Sequence, residues 1–324
     1  MSSPAVAAPA PAPAPAPRWL LAAATLLLFL MWSNSFVAMT WLLGTERVAA
    51  RLDWLSLTTV RFLPVTLLCA TWLLLARRAE ALAACRAFGP RLLVCGLLAV
   101  PAYSFALLRG IGQGVPAPLA SLLTGLSPLF LLLLGAAFLG EPLTGKKLLG
   151  FGVALLGLVA IARARGPLSP GALGPMATAA LAPLFWAVHT ALSKPASRAV
   201  SPAVWTALYL VAGGAPLLAL LPWAGGAELF QLDLGGWAAV LYLSVCCTLL
   251  GFLLWSWLLR HLPASSVGLT VFLNPPLTLA SKALLSTLFP ATFLLAVSGL
   301  EVLGAAVVLS GVALALWRPR AASA

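Results

Sequence analysis

Apolar runs long enough to cross a bilayer recur from Trp19 to Trp317, parted only by short stretches of Gly, Pro and charge. The hydrocarbon core is about 30 Å thick and a helix needs about 20 residues to span it. Inside it every backbone N–H and C=O must be paired within the protein, which leaves helices or a closed barrel. Barrel strands read as about ten residues of alternating polarity, whereas these runs are continuous. The chain is therefore predicted to be all-α and integral to a membrane. Composition agrees: 62% of the 324 residues are hydrophobic and 8% charged, against about 25% charged in soluble domains.

Breaking the chain at charges, Gly/Pro clusters and tryptophans predicts ten spans, at 19–43, 55–76, 90–112, 116–140, 146–162, 171–193, 202–222, 235–259, 263–288 and 291–317. Trp19, Trp41, Trp54, Trp223, Trp237 and Trp317 fall near their ends, where amphipathic rings favour the headgroup region. Residues 1–18 are a Pro/Ala-rich tail that cannot bury a core, and 318–324 form a second tail. The first run exceeds the 7–15 residues of a signal-peptide core and holds Ser33, Asn34 and Ser35, so it counts as a span.

Lys and Arg number 19 against 7 acids, a net charge of +12. The cations sit between apolar runs rather than in one basic patch, so they speak for topology and not for nucleic acid. Alternate loops hold 12 and 5 of them, which by the positive-inside rule places both termini in the cytoplasm. Arg61 and Lys282 fall inside spans.

The halves look duplicated. Phe105, Pro116 and Pro128 recur as Phe252, Pro263 and Pro275 at an offset of 147, and Trp32, Gly150 and Gly157 recur as Trp186, Gly304 and Gly311 at 154. Five spans per half make the second half inverted: a first repeat over 19–163 and a second over 171–317, the plan of secondary transporters whose site lies at mid-membrane. Pro128 and Pro275 fall near mid-span and each frees a carbonyl one turn earlier, near Thr124 and Val271. Such breaks are either packing kinks or the lining of a polar cavity.

Several stretches resemble a known family: Met31-Trp32-Ser33-Asn34-Ser35-Phe36-Val37-Ala38, Arg61-Phe62, Ser127-Pro128-Leu129-Phe130, Gly140-Glu141-Pro142-Leu143-Thr144, and Gly150 to Gly157. They look like the EamA-type branch of the drug/metabolite transporter superfamily. The resemblance implies ten helices in two inverted five-helix repeats, cytoplasmic termini, a central substrate cavity, and export rather than uptake. One departure is clear: the Gly-Glu turn after span four is not repeated after span nine, where the chain reads Leu288-Phe289-Pro290.

Ionisable groups within spans are costly and so are functional candidates. Glu301, Lys282 and Arg61 are read as a cluster in the outer cavity, binding charged substrate or coupling it to protons; the alternative is a buried structural pair. His189, the one histidine within a span, either packs through a hydrogen bond or takes part in gating. Glu141 is expected to favour the N-terminus of the helix that follows it. Trp32, Asn34, Ser35, Tyr103, Ser104, Trp186 and Asn274 lie at similar depth and are candidate cavity residues or interhelical hydrogen-bonding groups.

The five cysteines lack metal-ligand spacing, and neither GxxxxGK[ST] nor GxSxG occurs. No cofactor, metal or catalytic residue is expected, though coupling to a proton or other gradient is. The expected function is secondary transport of small metabolites, amino acids or amphipathic compounds across a bacterial inner membrane, with the lipid bilayer and the substrate as partners. A polytopic enzyme or a non-transporting scaffold are the alternatives.

Overall fold

A computed structural model describes residues 16–44, 50–115, 117–164, 173–224, 231–288 and 297–316. The tails, Trp317 and the Phe289-Pro290 turn lie outside the described residues. Among these every element is helical. Among the described residues nine helices are long and apolar enough to cross a membrane: α1 Arg18–Leu43, α2 Trp54–Ala76, α3 Arg78–Gly112, α4 with its span at Leu119–Phe138, α5 Gly145–Arg163, α6 Leu173–Ala199, α7 Pro202–Trp223, α8 Leu234–His261 and α10 Gly299–Leu316. The segment 264–288 between α8 and α10 is α9, helical but interrupted. The chain is thus an all-helical, multi-pass membrane protein.

Two predicted boundaries move. Helix α3 starts at Arg78 rather than at residue 90, and runs for 35 residues, about 50 Å at 1.5 Å per residue. Its first turns are rich in Ala, Leu and Glu, strong helix formers, and Pro90 sits within the helix without ending it. Helix α10 starts at Gly299, well after the predicted residue 291.

Both proline breaks appear. Helix α4 divides into α4a, Ala117–Thr124, and α4b, Ser127–Phe138, around Gly125 and Leu126. Helix α9 divides into α9a, Ala264–Leu269, and α9b, Asn274–Leu288, joined by a 3₁₀ turn over Thr270–Leu273. In α4 the carbonyl at Thr124 is met by the Ser127 hydroxyl at 2.5 Å. In α9 the tighter turn and the Thr270 hydroxyl, which donates to Val267 O at 2.6 Å, serve the same end. Helices α3 and α8 also match, each carrying a π-helical segment, Leu98–Ala102 and Tyr242–Leu250.

Helices α5 and α10 pack backbone to backbone. A Cβ on Gly157 would lie 2.6 Å from Gly304 O, and one on Gly304 would lie 2.8 Å from Gly157 O. Gly150 and Gly311 face each other in the same way, each 2.6 Å from the other's carbonyl. Pairing 150 with 311 and 157 with 304 makes the two helices antiparallel. Membrane helices associate largely through such close approach of small residues.

Gly157→Ala should therefore lower the thermal unfolding temperature of the purified protein, by the roughly 1–3 kcal/mol typical of overpacking. Gly152→Ala, on the same helix with nothing within 4 Å of its Cβ, should not lower that temperature and should raise it, by up to about 1 kcal/mol of helix propensity.

Candidate functional site

The interruptions in α4 and α9 meet at one cavity. It is lined by Thr124, Ser127, Val271 and Asn274 from the two breaks, Trp32, Ser35, Phe36 and Met39 from α1, Arg61 from α2, Tyr103 and Leu107 from α3, Trp186 from α6 and Phe252 from α8. Thr124 and Val271, Ser127 and Asn274, and Trp32 and Trp186 are each separated by one of the two repeat offsets. Positions paired by the offsets read from the sequence thus face the same space.

Aromatic packing forms one wall. Trp32, Trp186 and Trp255 lie 5.3–5.4 Å apart by ring centroid, Phe252 is 5.2 Å from Trp186, and Tyr103 is 5.5 Å from it. The π-helical segment of α8 fixes two of the lining groups: Cys247 O accepts the Trp32 indole N–H at 2.9 Å, and Thr248 Oγ1 accepts Arg61 Nε–H at 2.8 Å. Gly251 makes room for the indole, since a Cβ there would lie 2.5 Å from Trp32 Nε1. The Trp186 indole nitrogen and the Asn274 amide oxygen are buried without a hydrogen-bond partner among the described residues. The free volume is about 40 Å³, against roughly 10–15 Å³ for one water.

Of the residues predicted from sequence, Trp32, Ser35, Arg61, Tyr103, Trp186 and Asn274 line this cavity and five do not, among them Ser104, which is buried outside the lining. Asn34 donates to Leu30 O of its own helix at 2.8 Å. His189 is buried behind Trp186, with Nδ1 3.0 Å from Cys95 O and its ring 4.7 Å from that of Tyr209. Lys282 lies half-buried in α9b. Glu301 is in the first turn of α10, not ten residues into a span. Its carboxylate accepts from Ser298 N–H at 2.9 Å while Ser298 Oγ accepts from Glu301 N–H at 3.2 Å. That is a capping box, and its Ser-x-x-Glu signature stands in the sequence. Arg61 therefore does not join Glu301; its contacts are Thr248, Met39 Sδ at 3.5 Å and the face of Phe62. Sequence reasoning named Thr124 and Val271 only for the carbonyls freed at the breaks, and missed Phe36, Met39, Leu107, Ser127 and Phe252 as cavity residues.

The model of the EamA-like transporter family matches residues 18–163 and again 174–317. The chain belongs to the EamA-like transporter family. It is 32% identical over 212 residues to a probable amino-acid metabolite efflux pump of Escherichia coli K12, covering 62% of this chain and 68% of that protein. It is 30% identical over 190 residues to a probable terminal-alkyne amino-acid exporter of Streptantibioticus cattleyicolor, 59% of this chain and 63% of that protein. An uncharacterized transporter of Archaeoglobus fulgidus is 28% identical over 199 residues, 60% of this chain and 68% of that protein. A solved crystal structure at 22% identity shares the fold, with a TM-score of 0.66 over 93% of this chain and 98% of its own.

In this EamA-family protein polar ties from distant parts of the chain gather at the two ends of α8. At one end, Glu141, after α4b, accepts from Ala264 N–H at 2.6 Å, from Ser265 N–H at 2.9 Å and from the Ser265 hydroxyl. It therefore caps α9, not the helix that follows it, as the sequence suggested. That next helix, α5, is capped by Thr144. Lys147 Nζ donates to the same Ser265 at 2.8 Å, and Lys194 Nζ donates to Leu259 O and Leu262 O at the end of α8. At the other end, Arg51 pairs with Asp233 at 2.7 Å, and Asp233 also caps α8 through Gly236 N–H at 2.7 Å.

Glu141→Ala removes three charge-assisted bonds and leaves the α9 N-terminus uncapped, so it should cost about 2 kcal/mol in thermal unfolding; Ser265→Ala should cost less. The Arg51 hydrogen bond, then that of Gly236, hold the Asp233 carboxyl below its ordinary range. The stabilisation they confer is present above the ordinary aspartate pKa and is lost as pH falls through the depressed one. Unfolding temperature measured from pH 8 down to pH 3 should fall less steeply in the acid range for Asp233→Asn than for the unaltered protein.

Proposed function

We propose that the chain is a secondary active transporter that exports small metabolites, amino acids and their derivatives among them, by alternating access of two inverted five-helix repeats. The observation that carries this reading is the central cavity, built from interrupted helices and lined by equivalent positions of both halves. The antiparallel α5–α10 pair, the matched π-helical segments and the double match to the family model support the inverted arrangement. With alternating helices, the end of α1 and the start of α8 fall on one side, and the end of α4 and the start of α9 on the other. The Arg51–Asp233 and Glu141–Ser265 ties are then the outer and inner closures, and transport opens them in turn.

The names of the Escherichia and Streptantibioticus relatives support export and amino-acid-like cargo. The 12-to-5 distribution of Lys and Arg supports cytoplasmic termini in a bacterial inner membrane. Arginine does not release a proton in proteins, so Arg61 is no proton carrier, and any gradient that drives export is coupled through other groups.

Cells expressing the protein should retain less of an exported amino acid after loading than cells without it. Asn274→Ala should cut that difference by about tenfold at unchanged membrane abundance, while Asn34→Ala should leave it intact. Equal retention with and without the protein, across a panel of amino acids and derivatives, would sink the proposal.

A further inference from the structure

Arg61 is 7% exposed and lies seven residues into α2, which begins at Trp54. A charge at such a depth costs roughly 2.5–3.5 kcal/mol even on the lenient insertion scale, and buried charges are normally paired. Its guanidinium carries five N–H donors and cannot shed its charge. The structure gives it two acceptors, a hydroxyl and a thioether, both uncharged.

The carboxylates are spent elsewhere. Asp53 caps α2 through Leu55 N–H and Ser56 N–H, and Glu80 accepts from Ser201 N–H at the start of α7. Asp233 caps α8, Glu141 caps α9 and Glu301 closes the capping box of α10. These five are all the acids among the described residues, and each sits at a helix N-terminus. None lines the cavity, where Arg61 is the single charged side chain. Two more buried polar atoms without partners, the Asn274 amide oxygen and the Trp186 indole N–H, belong to lining residues of the same cavity.

We propose that Arg61 is the substrate's anion anchor: the cavity takes a small organic carboxylate against the Arg61 guanidinium, and excludes organic cations. This rests on the transporter reading and narrows its cargo. The acceptor-only amide oxygen of Asn274 suits an ammonium or hydroxyl on the same molecule, and the indoles of Trp32 and Trp186 suit an apolar body. A fixed positive charge in a water-poor cavity repels a cationic ligand as strongly as it attracts an anionic one, so cationic amphiphiles are not cargo.

The test compares each acid with its own amide, which keeps shape and removes the negative charge. Purified full-length protein in nanodiscs is titrated with L-leucine and L-phenylalanine, with leucinamide and phenylalaninamide, and with sodium chloride, using thermal stabilisation as the readout. Either acid should bind at least tenfold more tightly than its amide, Arg61→Gln should remove the difference, and Arg61→Lys should restore part of it. Acid and amide stabilising the unaltered protein alike would overturn the anchor without recourse to any variant, as would chloride matching the acids, which would mark an inorganic-anion site. Flux through reconstituted vesicles separates the two readings. Acid and amide moving equally would overturn the anchor and leave the exporter, whereas acid binding lost in Arg61→Gln without flux in the unaltered protein would keep the anchor and overturn the exporter.

Discussion

A backbone polar group left unpaired in hydrocarbon costs several kcal/mol, and the arrangement of this protein follows from where such groups arise and what meets them. Unbroken helices raise the problem only at their ends. Here it arises mid-membrane too, at the α4 and α9 breaks and the π-helical segments of α3 and α8. At α4, α9 and α8 the chain supplies an answer: the Ser127 hydroxyl on Thr124 O, the Thr270 hydroxyl on Val267 O, and in α8 the Trp32 indole on Cys247 O and the Thr248 hydroxyl on Leu243 O. These answers bring polar side chains to one depth, and the cavity forms where they converge. Among the described residues the helix ends take the carboxylates, which leaves the cavity lining with one cation and no acid.

The span pattern was legible because it depends on local composition alone. Apolar runs, tryptophans at their ends and prolines within them placed ten helical segments, and the repeat offsets paired the positions that now share a cavity. Depth was harder to read than existence. Glu301 sits in an apolar run that extends well before it, so it looked like a mid-span charge; the capping box with Ser298 sets the true start of α10. Arg78 to Gly89 looked like a loop because it is charged, yet its alanines sustain a helix.

Face was harder still. Asn34 and Ser35 are neighbours at one depth and both donate to carbonyls of their own helix, but about 100° of helical rotation puts Ser35 in the cavity lining and Asn34 outside it. The partner of Glu141 lies 123 residues away, and no local pattern announces that the helix it caps is α9 rather than α5. The same long-range pairing decides Arg61, whose neighbours come from α1 and α8.

The glycine contact between α5 and α10 has a bearing on ancestry. Gly150 meets Gly311 and Gly157 meets Gly304, and the repeat offset equates 150 with 304 and 157 with 311. On the inverted-repeat reading each glycine therefore touches the counterpart of its neighbour, and the surface is isologous, joining a unit to an upturned copy of itself. On the same reading, a five-helix unit bearing this face would pair with an upturned copy of itself through the contact that joins α5 and α10 here.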